Sequence, residues 1–183
     1  MNKPLEHLNT KVSRRQVMVG AAGLSFAIGF GGRAGATVLA SARTGKELSP
    51  WVSIAPDGTI SIMSAATEMG QGSMTSLPLI LAEELDADWS KVKIVTAPAI
   101  EAIYGNPGFQ GMMYTAGSNA VTSYYTPLRM FGAQVRQVLL DNAAKTLGVP
   151  ADELTTEPST VVHAKSGRRL CYGEVAATAQ IPA

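Results

Sequence analysis

Between Glu68 and Thr75 the chain reads Glu-Met-Gly-Gln-Gly-Ser-Met-Thr, with alternating apolar residues before it and an apolar helical pattern after it. Few local patterns restrict a fold more. Two glycines one residue apart let the backbone turn with positive φ and let another group approach closely. A helix that starts just beyond them leaves unpaired amides at the positive end of its dipole. Such a start suits a phosphate or a similar anion, and Gln71 adds a donor and an acceptor. Taken alone, a Gly-x-Gly triplet is a common turn, so its meaning depends on its surroundings.

Those surroundings are regular. Trp51-Val52-Ser53-Ile54 and Ile60-Ser61-Ile62-Met63 alternate about the turn Pro56-Asp57-Gly58-Thr59, which predicts a β-hairpin. Leu77, Leu79-Ile80-Leu81 and Leu85 form an apolar helix face, with Glu83, Glu84 and Asp86 on its solvated side. Pro78 belongs near the helix start, which places the N-cap within Gly72 to Thr75. Val92 to Val95 reads as a strand, and Pro98 to Gly117 as one long loop, a length that usually marks function or disorder. Thr115-Ala116-Gly117-Ser118 then precedes a second helical stretch, Asn119 to Leu147, with Ser118 or Asn119 as N-cap and an interruption or kink at Thr126-Pro127.

The second helix carries Arg129 and Arg136, read as surface cations. A helical turn at Val149 to Leu154 follows. Next comes a second hairpin, Thr160-Val161-Val162-His163 with Arg169-Leu170-Cys171, in which His163 is structural. A helix from Tyr172 to Ala179 closes the pattern. The expected fold is α+β: two hairpins and a lone strand packed on two main helices. Two polar, glycine-bearing helix starts make one anion cradle if they converge in space.

Composition narrows the chemistry. Among 183 residues the formal charge is +1, which gives no electrostatic case for nucleic acid. The single cysteine, Cys171, excludes an internal disulfide and an all-cysteine iron–sulfur site. His7 and His163 have no metal-ligand spacing. No nucleophile, acid–base pair or metal-ligand set stands out, so no catalytic residue and no metal ligand is assigned.

Residues 1–48 read as an export signal and linker, and 49–183 as the foldable part. Lys3 and Lys11 precede Ser13-Arg14-Arg15-Gln16-Val17-Met18 and a mildly apolar, glycine-rich run to Phe30. This is the layout of a secretory signal, and the paired arginines indicate the twin-arginine route. A short membrane anchor or a basic amphipathic start is the alternative. Ala34-Gly35-Ala36 and Ala40-Ser41-Ala42 both suit cleavage.

Taken together, these motifs resemble a known family. Glu68 to Gly72 with Thr75 resembles the molybdopterin-contacting segment of the molybdenum hydroxylases, the xanthine oxidase family. Asn106-Pro107-Gly108, Thr115 to Ser118 and Pro127-Leu128-Arg129 with Gly132-Ala133 resemble its second cofactor segment and the helix after it. The twin-arginine start, the Trp51 hairpin and Tyr172-Gly173-Glu174 are similar to the large-subunit N-terminus of the exported branch, which holds isoquinoline 1-oxidoreductase beta subunits and membrane-associated aldehyde dehydrogenases. Order and spacing, rather than any one motif, carry the likeness.

The resemblance implies a partial molybdopterin-binding domain with a molybdenum pyranopterin, in the cytosine dinucleotide form that is frequent in the family. It implies cofactor contacts from Gly70, Gln71, Gly72 and Thr75, and from Thr115, Ala116, Gly117 and Ser118. It implies oxidation of an aldehyde or an N-heteroaromatic ring, at the periplasm or the periplasmic face of the inner membrane. The implied partners are the remainder of the large subunit, a small subunit with two [2Fe–2S] clusters, and a cytochrome c acceptor. No segment matches the motif of the family's catalytic glutamate, so this chain alone is expected to be inactive. Met112-Met113-Tyr114 also departs from the polar residues expected there. A non-catalytic periplasmic binding or scaffold module is the competing reading.

Overall fold

A computed structural model describes residues 45–181. The signal motif around Arg14-Arg15 and both cleavage motifs lie outside the described residues. Four strands form the first sheet, in the order β1 (Lys46–Ser49), β2 (Val52–Ile54), β3 (Ile60–Ser64) and β4 (Val92–Thr96). The β2–β3 hairpin is antiparallel, with Val52 opposite Ile62 and Ile54 opposite Ile60. Its turn closes where Thr59 N–H donates to the Asp57 carboxylate at 2.9 Å.

Strand β4 is not alone, as the sequence suggested. It pairs parallel to β3, from Ile60–Val92 to Ser64–Thr96. Parallel neighbours need a crossover, and helix α1 (Ser73–Leu85) supplies it. The supposed linker before Trp51 also holds a strand, β1, antiparallel to β2.

Helix α1 buries Leu77, Leu81 and Leu85, spaced four apart on one face. Burying each such leucine is worth about 1.5–3 kcal/mol. Pro78 lies inside the helix rather than in its first turn. Within the expected long loop stand a short helix α2 (Glu101–Tyr104) and a 3₁₀ turn at Pro107–Phe109. Helix α3 (Ala120–Leu147) runs unbroken for 28 residues through Pro127, contrary to the predicted interruption. Its face of Tyr124, Leu128, Val135, Leu139 and Ala143 is buried. It crosses α1 at Gly132, where a Cβ would stand 2.5 Å from the Leu81 carbonyl oxygen. Only glycine permits that approach.

Trp51 ties hairpin, loop and α3 together. Its ring meets Tyr104 edge-on at 4.9 Å and stacks on Phe131 at 5.3 Å. Tyr104 donates to Pro50 O at 2.7 Å, and Tyr124 donates to Tyr104 O at 2.6 Å. Burial pushes the Tyr124 phenol up to about 12, so it stays a donor.

A second sheet, β5 (Leu154–Glu157), β6 (Thr160–His163) and β7 (Arg168–Cys171), is an antiparallel meander leading into α4 (Tyr172–Thr178). The predicted helical turn before it reduces to Ala151–Glu153, followed at once by β5. Ser159 fastens this sheet to the end of α1: its N–H donates to Asp86 O and its Oγ accepts from Asp88 N–H, both at 2.8 Å. The Tyr172 hydroxyl donates to Leu85 O at 2.8 Å. Mixed helices and two small sheets make the fold α+β, as expected.

Candidate functional site

The loop from Ala65 emerges from the core at Thr67 and reaches the start of α1 at Gly72. Gly70 and Gly72 have φ of 92° and 81°. No heavy atom lies within 4 Å of where a Cβ would sit on either, so both serve backbone shape rather than close packing. Their amides, with that of Met74, converge on one point. The Glu68 carboxylate occupies it. Oε1 accepts from Gly70 N–H at 2.7 Å and from Gly72 N–H at 3.1 Å, and Oε2 accepts from Met74 N–H at 3.0 Å. The Met74 amide first, and then that of Gly72, hold this carboxyl below the ordinary glutamate range.

Gln71 also turns inward. Its Nε2 donates to Thr67 O at 2.7 Å and to Ser73 Oγ at 2.6 Å, while Oε1 accepts from Met69 N–H at 2.6 Å. Both amide hydrogens are thereby engaged, and the oxygen retains one lone pair. Thr75, on the first turn of α1, is exposed.

The second segment is shaped by Asn106, which is buried. Its Oδ1 accepts from Gly108 N–H at 2.8 Å and its Nδ2 donates to Tyr114 O at 3.2 Å, closing the loop between. A Cβ on Gly108 would fall 2.2 Å from Asn119 Nδ2 and Ser123 Oγ, so this loop lies directly on the first turn of α3. Gly117 and the non-glycine Ser118 are both left-handed, with φ of 59° and 53°. Asn119 takes the N-cap position but makes no capping hydrogen bond; its Oδ1 accepts instead from Ser123 Oγ at 2.7 Å.

The two segments meet. Thr115 Oγ1 accepts from Thr67 N–H at 3.0 Å, across 48 residues of sequence. The loop that carries Gly70, Gln71 and Gly72 is therefore joined at one edge of the molecule to the loop that carries Thr115, Ala116, Gly117 and Ser118, and Thr75 follows on α1. The sequence places Glu68 and Asn106 within the two family-like segments without giving either side chain a task of its own, and does not single out Thr67. An Asn before Pro-Gly is a cue for a side-chain-closed turn, and a carboxylate two residues before a Gly-x-Gly turn is the cue that went unread.

The two starts differ in their fit to an anionic group. At α1 the convergent amides already hold a carboxylate, and a second anion there would meet like charge. At α3 no side chain of the described residues caps the helix, and the left-handed Gly117-Ser118 pair turns the chain into the first turn. The amides of the first start are therefore taken, and those of the second have no such occupant among the described residues. Around both starts lie exposed apolar side chains, Met69 (67% exposed), Met112, Tyr114, Val121 and Tyr125.

Other titratable groups do structural work. His163 is buried, with Nδ1 2.7 Å from Ser166 Oγ and Nε2 3.0 Å from Glu153 Oε2, as the sequence suggested. Glu84 pairs with Arg129, which also lies over the Tyr125 ring at 5.5 Å. Among the described residues no group of three His, Cys, Asp or Glu is placed to hold a metal ion, and no helix is long and apolar enough to cross a membrane.

Residues 5–182 match the family model of the molybdopterin cofactor-binding domain. The chain is 40% identical over 181 residues to isoquinoline 1-oxidoreductase subunit beta of Brevundimonas diminuta, covering 94% of this chain and 22% of that protein. It is 35% identical over 127 residues to a membrane-bound aldehyde dehydrogenase (pyrroloquinoline-quinone) of Gluconacetobacter polyoxogenes, covering 69% of this chain and 15% of that protein. Among solved structures, quinoline 2-oxidoreductase from Pseudomonas putida 86 shares the fold with a TM-score of 0.51 at 22% identity, over 68% of this chain and 15% of that one. The chain thus spans less than a quarter of the length of these relatives.

Proposed function

From the chain's membership of the molybdopterin cofactor-binding domain family, we propose that it forms the N-terminal portion of the molybdopterin-binding subunit of an exported molybdenum hydroxylase. The single observation that carries this reading is the Thr67–Thr115 hydrogen bond. It makes one edge of the two segments that the family likeness assigns to the cofactor. Along that edge, Gly70, Gln71, Gly72 and Thr75 would face the pterin side. The open start of α3, with Thr115, Ala116, Gly117 and Ser118, would take the anionic end, in the cytosine dinucleotide form. When bound, the cofactor supplies two-electron oxidation chemistry. This chain's residues would bind and orient it, and the catalytic base would come from the remainder of the large subunit.

The substrate class, an aldehyde or an N-heteroaromatic ring, is drawn from the names of the relatives. The aldehyde dehydrogenase carries a different cofactor in its name; the family match over residues 5–182 favours molybdopterin here. The exposed apolar side chains around both starts suit burial under the remainder of the large subunit. Electrons would leave through a [2Fe–2S] small subunit and a cytochrome c. The arginine pair at Arg14-Arg15 supports twin-arginine export to the periplasm or the periplasmic face of the inner membrane, with residues 1–48 as signal and linker and 49–183 as partial domain.

The test is to isolate the native assembly with an antibody raised against residues 50–160. Molybdenum, a releasable pterin and further polypeptide are expected with it. A 183-residue species with neither molybdenum nor pterin would sink the proposal in favour of a non-catalytic module.

A further inference from the structure

We infer that Glu68 is the resident anion of the α1 start, a positioning residue that shapes the Gly70–Gly72 turn and keeps the cofactor's phosphate off those amides. Three observations carry this. The carboxylate accepts from three amides of its own loop, those of Gly70, Gly72 and Met74. Both glycines are left-handed with open space beside them, so no packing against them holds the turn in shape. Gln71 is closed on the same loop through Thr67, Met69 and Ser73. The motif that invited a phosphate is therefore complete without one. Glu68 does for α1 what no side chain does for α3.

The consequence for the cofactor rests on the proposed function; the occupancy of the amides does not. If the anionic end of the cofactor is held at all, it is held by the α3 start. The Gly70–Gly72 segment then offers shape and the remaining lone pair of Gln71 rather than backbone donors to a phosphate.

The test uses the full chain, ¹⁵N-labelled, titrated with inorganic phosphate against chloride of matched ionic strength. In the wild-type protein the amide resonances of Gly70, Gly72 and Met74 should not respond saturably. In Glu68→Ala they should, because the cradle has lost its occupant. In Glu68→Gln, amide exchange at the same three positions should speed at least 10-fold with the rest of α1 unchanged. A saturable phosphate response of these amides in the wild type would overturn the inference, as would unchanged exchange in Glu68→Gln. If Glu68→Ala does not fold, the wild-type titration and the glutamine variant decide the matter. The amides of Gly117 and Ser118 report separately: their failure to respond to phosphate counts against the α3 site and leaves the inference about Glu68 standing.

Discussion

Helices α1 and α3 start on the same edge of the molecule, and they start in opposite ways. The first is closed by a carboxylate from its own loop, and its glutamine is folded inward. The second begins after two left-handed residues with no side-chain cap, its asparagine turned to Ser123 instead. A helix end presents a partial positive charge and a few unpaired amides, and an anion can use them once. At α1 the fold itself uses them. At α3 they remain for something else. A glycine-rich turn before a helix is therefore weak evidence of an anion site until the acidic residues nearby are placed.

The comparison depends on the two helices staying in register, and its most severe disruption is at their crossing. Gly132→Val should push the α3 backbone off Leu81 and Leu85 and displace both starts together. Overpacking a tight contact costs typically 1–3 kcal/mol; because backbone is the neighbour here, about 3 kcal/mol is expected in urea denaturation. A loss below about 0.5 kcal/mol would mean that the helices readily slide apart and that the shared edge is not fixed by this contact.

Asn106→Ala should break the symmetry. It removes the partner that the buried Asn106 side chain gives to Gly108 N–H and Tyr114 O. Two lost hydrogen bonds, each worth about 0.5–1.5 kcal/mol net, put the cost at about 1–3 kcal/mol. Exchange should quicken across residues 106–118 and the first turn of α3, while Gly70, Gly72 and Met74 keep their protection. Equal loosening at both starts would show that Asn106 shapes the whole edge. Thr115→Val is milder and more pointed. It removes the acceptor of the Thr67 amide, a net effect of about 1 kcal/mol. Faster exchange at Thr67, with both helix starts otherwise intact, is expected; no change at Thr67 would mean that the bond does not join them.

Much of this was legible in the sequence, and the misses have physical causes. The Trp51 hairpin, the apolar faces of α1 and α3 and the β6–β7 hairpin that holds His163 follow from period-2 and helical spacing, whereas β5, which completes the meander, does not. Strand β1 is hidden because Lys46 to Ser49 has one apolar residue, Leu48, and is flanked by Gly45 and Pro50. The parallel pairing of β4 is a long-range choice that local pattern does not carry. Pro127 predicts an interruption or a kink, and α3 is not interrupted there, with Tyr124 and Leu128 on either side buried in the core. At the site, residue types pointed to an anion at both starts, but not to which anion. Only placement distinguishes Glu68 as an occupant from Glu84 as the partner of Arg129.

The smallest expected effect is a pH response confined to one of the two starts. The Glu68 carboxyl is held below its ordinary value of 4.5, chiefly by the amide of Met74. A depressed folded-state pKa means the charged form favours the folded loop, so the contribution is complete above the unfolded value and is lost as pH falls through the folded one. Between pH 7 and 5 the amide shifts of Gly70, Gly72 and Met74 should stay flat, then move together below about 4.5. Gly117, Ser118 and Ala120 have no such carboxylate on them and should not follow. Asp57, Asp88, Glu153, Glu157 and Glu174 are also depressed, so bulk acid stability would blend all of them, and only residue-resolved shifts separate Glu68. If the α3 amides titrated in step with those of α1, both starts would share one anion, and the contrast between a filled start and an open one would fail.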